Sequence, residues 1–192
     1  MMHRVTSLII LALVLAACSS QPRGPVTPPP ESALAISQWE TSGRVGIRTP
    51  DDAISGNFTW QHTPETYTLN IVGPFGQGAT KLSKDVSQQI TLSYEDKTLV
   101  GKDARQLLYQ ELGWDFPVEQ VNYWIRGLAS PNTKATVVLE DDSLRPTSIK
   151  QDGWLVNYRR YTQVDGLDLP QRIQVSKPPF KVNLIINQWT IQ

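Results

Sequence analysis

Residues 182–191 read VNLIINQWTI. Val182, Leu184 and Ile186 occupy every second position, the spacing that places side chains on one face of a strand. The alternation then slips: Trp189 and Ile191 are apolar where strict period two would put Gln188 and Thr190. One extra residue, a β-bulge, returns both to the face of the first three. The segment therefore reads as a single long, half-buried strand.

The same period recurs along the chain. Val45 and Ile47 alternate, as do Phe58 and Trp60, then Tyr67, Leu69 and Ile71, and Ile90, Leu92 and Tyr94. Thr136 to Leu139, Trp154–Val156–Tyr158 and Ile173–Val175 follow. Polar residues between the apolar ones describe an antiparallel sheet with one wet face. Asp96–Lys97 reads as a hairpin turn.

Two helical patterns interrupt the strands. Asp103 and Gln106 form a capping-box signature, Ala104, Leu107, Leu108 and Leu112 make one apolar stripe, and Gly113 stands at its end. A second stripe, Val121, Trp124, Ile125 and Leu128, predicts a helix from about Val118 to Leu128, with Gly127 inside it. A third, short helix is expected from Glu31 to Trp39, on Leu34, Ile36 and Trp39. The fold class is mainly β with short α-helices: a curved antiparallel sheet with helices across one face. Such helices either fill the core or cover an apolar hollow, and periodicity does not separate the two.

The chain has 192 residues, enough for one domain and a tail. Its formal charge is zero, which gives no invitation to nucleic acid. Six Trp and six Tyr favour large aromatic-lined surfaces. Residues 1–17 form a basic start and a short apolar run, a signal peptide and not a permanent span. The run ends Leu15–Ala16–Ala17–Cys18, which resembles the bacterial lipobox, and Cys18 is the chain's single cysteine. Lipidation at Cys18 is expected. Residues 18–32 are a proline-rich, semi-rigid tether, and residues 33–192 a single binding domain.

Candidate reactive groups are few. His62, in Gln61–His62–Thr63–Pro64, reads as an exposed turn histidine. Asp51–Asp52 and Glu140–Asp141–Asp142 sit in turn-like sequence. One mature histidine and no free cysteine leave no set of the usual metal ligands, and the glycines at 73, 76 and 78 lack a following Lys-Ser/Thr for a phosphate loop. The chain reads as a binder and carrier, with no catalytic residues.

Residues 69–82, LNIVGPFGQGATKL, then stand out. Gly73 and Pro74 stop a strand, Gly76 and Gly78 follow, and Phe75 sits between them. The ring either folds back to plug the core or is displayed on a protruding loop.

Several pieces recur in order in one family: the lipobox, the proline tether, Phe58–Thr59–Trp60–Gln61, Gly73–Pro74–Phe75–Gly76, Tyr123 to Leu128, and Asn187 to Ile191. Over nearly its whole length the chain resembles the LolB family of outer-membrane lipoprotein receptors. The resemblance implies an unclosed barrel capped by helices over a cavity for acyl chains. It implies lipoprotein cargo accepted from the periplasmic carrier LolA, without nucleotide, metal or other cofactor, by a monomer. Delivery is to the inner leaflet of the outer membrane, and Ser19 after the cysteine implies the same location, with the domain facing the periplasm. Phe75 takes the place of an exposed apolar residue, often leucine, that the family uses for insertion, so Gly73, Pro74, Phe75 and Gly76 become the membrane-insertion loop. Candidate cavity residues are Trp60, Leu107, Leu108, Trp124, Ile125 and Leu128. The other readings are a scaffold lipoprotein of an outer-membrane assembly complex and a hydrolase using His62 or an acidic pair.

Overall fold

The computed structural model describes residues 32–76 and 78–192, apart from the Phe75 side chain. The signal segment, Cys18 and nearly all of the tether lie outside the described residues. The strands are β1 (Trp39–Arg48), β2 (Ala53–His62), β3 (Tyr67–Val72), β4 (Thr80–Lys84), β5 (Ile90–Tyr94), β6 (Lys97–Gly101), β7 (Ala135–Leu139), β8 (Pro146–Gln151), β9 (Trp154–Val164), β10 (Leu167–Lys177) and β11 (Phe180–Ile191). They form one sheet of 11 strands in the order β6-β5-β4-β3-β2-β1-β11-β10-β9-β8-β7. Every neighbouring pair is antiparallel. The sheet is thus two consecutive meanders, β1–β6 and β7–β11, joined where the first strand pairs with the last. Its outer strands, β6 and β7, do not pair with each other, so the barrel is unclosed.

The slip in the last strand is a bulge. Ser42 pairs with Gln188 and Gly43 with Ile186, leaving Asn187 as the extra residue. Trp189 and Ile191 are buried on the same side as Val182, Leu184 and Ile186. The buried Thr41 side chain completes the site, its hydroxyl donating to the Gln188 carbonyl at 2.8 Å. Opposite the bulge the two backbones approach so closely that a Cβ on Gly43 would lie 2.0 Å from the Ile185 carbonyl oxygen.

Two helices occupy the crossover between the meanders: α1 (Ala104–Leu112) and α2 (Val118–Trp124). Asp103 caps α1 by accepting the Gln106 backbone N–H at 3.0 Å, and Gly113 ends it in the left-handed region at φ 67. The second helix stops short of Leu128. Gly127 takes φ 81, with Leu128 N–H bonded to the Tyr123 carbonyl and Gly127 N–H to that of Trp124, a Schellman arrangement.

The expected helix from Glu31 to Trp39 is not found: residues 33–35 make a turn and β1 begins at Trp39. Trp39 is paired on both sides, with His62 and with Ile191, and that cross-strand pairing outweighs local propensity. The β5–β6 turn is Glu95–Asp96, one residue earlier than expected, because Lys97 already pairs with Tyr94.

A buried glutamine fastens α2 to the sheet. Gln151, 1% exposed at the end of β8, accepts from the Trp124 indole N–H at 2.8 Å and from the Ser130 backbone N–H at 3.0 Å. Its amide donates to the Ser130 carbonyl at 2.7 Å. The Tyr158 hydroxyl donates to the Trp124 carbonyl at 2.7 Å. These bonds satisfy backbone groups just past the helix end, which would otherwise be costly to bury.

Gly43→Ala is expected to destabilise the domain by about 1–3 kcal/mol through this backbone collision. Gly46→Ala, with nothing within 4 Å of the added Cβ, is the control and stays within about 0.5 kcal/mol. Urea midpoints of the two variants check the contrast.

Candidate functional site

The concave face has two unlike ends. At one, the start of β1 and the end of β11 carry a closed aromatic cluster. Trp39 meets Trp60 edge-on with centroids 5.3 Å apart and Trp189 at 5.7 Å, and stacks on His62 at 5.2 Å with planes 6° apart. His62 is therefore not an exposed turn residue: it ends β2 half-buried, and its Nε2 is 2.8 Å from Asn122 Nδ2 on α2. In the neutral ring Nε2 accepts from that amide. Burial, with the positive charges of Arg126 and Lys84, lowers its pKa to about 4. Arg126 is 6% exposed and donates to the carbonyls of Asn122, Ala33 and Ile36.

At the other end the packing is incomplete. A cavity of about 50 Å³ lies between the sheet and the helical crossover. The sheet contributes Val45, Phe58, Trp60, Leu69, Leu82 and Leu184, the helices Leu108 and Val121, and the α1–α2 connection Trp114, Asp115 and Phe116. Arg48, Thr49 and Phe180 also line it. The wall is almost wholly hydrocarbon and aromatic, so it offers dispersion contact and few directed polar groups.

The connection, residues 113–117, lies as a flap against this cavity, with Trp114, Asp115 and Phe116 in its wall. Two aromatics in so short a helix–helix connection were visible in the sequence as GWDFP, yet they were not among the expected cavity residues. Asp115 holds the flap down, paired with Arg105 on α1 and, at 3.5 Å, with Lys177 at the end of β10. The Arg105 guanidinium keeps the Asp115 carboxyl below the usual carboxylate range. The Phe116 ring packs edge-on against Trp154, centroids 6.3 Å apart.

Of the residues expected at the cavity, Trp60 and Leu108 line it. Leu107 turns instead toward β6, its side-chain carbons about where a Cβ on Gly101 would meet them at 3.2 Å. Trp124 and Ile125 are 0% and 1% exposed and belong to the packed region that Gln151 organises, and Leu128 is half-buried beyond the helix end. A helix stripe records which side is buried but not whether sheet or void lies opposite.

Gly73, Pro74 and Gly76 lie in the β3–β4 loop, where Pro74–Gly76 makes a single 3-10 turn with Pro74 and Gly76 exposed. The Phe75 side chain and Cys18 are outside the described residues. The loop stands at the cavity end of the sheet: a surface hollow bounded by Gly73, Pro74 and Gly78 shares Ile71, Thr80 and Trp114 with the cavity wall. Gly56 lets the loop base close in, since a Cβ there would lie 2.4 Å from the Val72 carbonyl oxygen. Asp51, Asp52 and the Glu140–Asp142 turn are exposed, and among the described residues no group of three His, Cys, Asp or Glu side chains is arranged to hold a metal.

The family model described as outer membrane lipoprotein LolB matches residues 37–189. The chain belongs to the LolB family. A Marinomonas sp. (strain MWYL1) protein named outer-membrane lipoprotein LolB is 59% identical over 192 residues, covering all of both chains. Its namesake in Chromohalobacter salexigens is 31% identical over 191 residues, 95% of this chain and 88% of that one. Among solved structures, a LolA superfamily protein from Nitrosomonas europaea aligns with TM-score 0.49 and 10% identity over 81% of this chain and 86% of that one.

In this member of the LolB family, His62 makes stability depend on pH. Its folded pKa lies below the unfolded value near 6.5, so the unfolded chain binds the proton more readily. The contribution is complete above about pH 6.5 and is lost as pH falls toward about 4. The ring is only partly withdrawn from solvent, so the loss is about 1–2 kcal/mol, less than the whole shift implies. The difference in urea stability between the parent and His62→Gln should shrink across that window. Asp115→Asn should change global stability by less than about 1 kcal/mol, its partners being exposed, yet speed proteolysis and hydrogen exchange at residues 113–117.

Proposed function

We propose that the domain receives lipoproteins from a soluble carrier of the LolA type, takes their acyl chains into the cavity beneath the flap, and releases them into the inner leaflet of the outer membrane. The single observation that carries this reading is an apolar cavity under an aromatic flap in a chain of the LolB family. The protein acts as a monomer, anchored through lipidated Cys18 and facing the periplasm. Residues 18–32 are its tether and residues 33–192 its binding domain.

The magnitudes fit such a carrier. An acyl chain of about sixteen carbons costs roughly 12 kcal/mol to expose to water, so it must pass from one dry wall to another. At about 50 Å³ the cavity has room for only about four water-sized spheres. Cargo therefore enters by displacing Trp114 and Phe116, and the empty site is held shut by side chains that cover it. The transfer free energy from water is shared by carrier, receptor and bilayer, so a modest gradient of affinity drives passage without nucleotide.

Phe75 serves delivery and not anchoring. Burying one Phe contributes about 1.5–3 kcal/mol, far less than the chains on Cys18. It acts as a reversible probe of the bilayer at the cavity end.

A transfer assay tests both steps. The unlipidated domain should take a lipoprotein from its loaded carrier, then give it to added phospholipid vesicles. Phe75→Glu should accept cargo as the parent does and insert it at least about tenfold more slowly. Failure of the parent to accept cargo favours a scaffold; normal insertion by Phe75→Glu removes the probe role.

A further inference from the structure

The helical crossover covers the concave face of the sheet and leaves the outer face open. There the strand registers set side chains in rows that cross the join between the two meanders. One row runs Arg48 on β1, Lys181 on β11, Ser176 on β10, Leu155 on β9 and Lys150 on β8. Two residues along each strand, a row of amides holds Asn183, Gln174 and Asn157. Beyond it Arg44, Ile185, Arg172 and, across a bulge, Arg160 stand in line. The rows alternate with the buried Val45, Val182 and Val175, so they point outward.

Arg44, Arg48, Lys150, Arg160 and Arg172 are exposed and Lys181 is half-buried. Among the described residues none of them forms a salt bridge. Strands β2, β8, β9 and β11 contain no Asp or Glu. The exposed carboxylates of β1 and β10, Glu40 and Asp168, lie four residues past Arg44 and Arg172. The whole chain balances 18 basic against 18 acidic residues, so this face is basic because charge is sorted and not because it is in excess. The sorting opposes folding. Arg48 lies directly opposite Lys181, and Arg172 opposite Arg160, and like charges so placed destabilise a sheet.

From this uncompensated charge we infer that the outer face of the sheet is a docking surface for the headgroup layer of an anionic bilayer. The rows hold no aromatic side chain of the kind that anchors a protein partner, and charge is what the core of a protein interface sheds. A headgroup layer needs no such anchor. Its phosphates rearrange under long side chains, and a nearby anionic surface favours each Lys or Arg about fivefold. Strand spacing spreads these cations over about 13 by 19 Å. Neighbours are within one or two Debye lengths, about 8 Å each at physiological salt, and so act on a surface together. Ile185 and Leu155, 37% and 40% exposed, supply apolar contact among them. A membrane is also the anionic surface at hand for a member of a family of outer membrane lipoproteins. The docking needs neither cargo nor carrier and stands apart from the receptor reading.

The test uses residues 19–192, which include every strand and helix described and lack the chain's single cysteine. They are sedimented with phosphatidylcholine vesicles made with and without phosphatidylglycerol. The parent should bind only the anionic vesicles, at least about tenfold more weakly in about 0.5 M than in about 0.05 M salt. Arg44→Gln/Arg48→Gln should weaken binding about thirtyfold. Its urea midpoint should stay level or rise, because one like-charge pair is gone. Lys97→Gln/Lys102→Gln removes the same charge at β6 and should bind within about twofold of the parent. Equal binding by the two double variants overturns the docking face, as does binding to neutral vesicles. A parent that ignores anionic vesicles also overturns it, and if that parent binds poly-glutamate the face belongs to an acidic protein. Failed cargo transfer with vesicle binding intact removes the receptor reading and leaves the docking face.

Discussion

The hydrogen bonding of the first strand to the last is the constraint on which the rest depends. Within each meander every strand meets a neighbour close in sequence, and only β1 and β11 join the halves. Their register runs from Trp39 opposite Ile191 to Arg48 opposite Lys181. The bulge at Asn187 lets Trp189 and Ile191 keep the buried face. Without that pairing the crossover helices would have half a sheet to pack against. Closing so long a loop is entropically expensive and makes the fold one of high contact order.

The two ends of the concave face then take different parts. Trp39, Trp60, Trp189 and His62 fill one end with stacked and edge-on rings, and Arg126 ties the entering chain beside them. At the other end aliphatic side chains and the aromatic rings of Phe58, Trp154 and Phe180 surround a cavity that the Trp114 and Phe116 side chains cover without filling. One end is held by rings in mutual contact and by an arginine bonded to three carbonyls, although the Trp39 and Trp60 indole N–H groups find no partner there. The other end has mostly dispersion contacts, individually weak, around a cavity they do not fill.

Much of the sheet was legible because half-buried strands carry period two in plain view. β4, β6 and β8 show no alternating run for a physical reason: Leu82, Leu99 and Ile149 are nearly alone as apolar residues in their strands, and a single position has no period. Trp39 was read as helical because its spacing from Leu34 and Ile36 suits a helix, while its pairing partners lie at the far end of the chain. His62 looked exposed because Thr63 and Pro64 make a turn, yet the adjacent strand end is covered by α2. In the candidate site, the burial pattern puts Trp60 and Leu108 on the covered face, and the structure places both in the cavity wall. Trp114, Phe116 and Asp115 lie in a connection without periodicity, and their role depends on what lies beneath them.

The unpaired edges at β6 and β7 set how the molecule responds to what it holds. In a closed barrel, strand number and stagger fix the diameter, and enlarging the interior means breaking a ladder. An open sheet can uncoil slightly while every pair of strands keeps its hydrogen bonds. Its interior is therefore a compliant one: volume can be gained at the cost of twist and side-chain contacts, in small continuous steps.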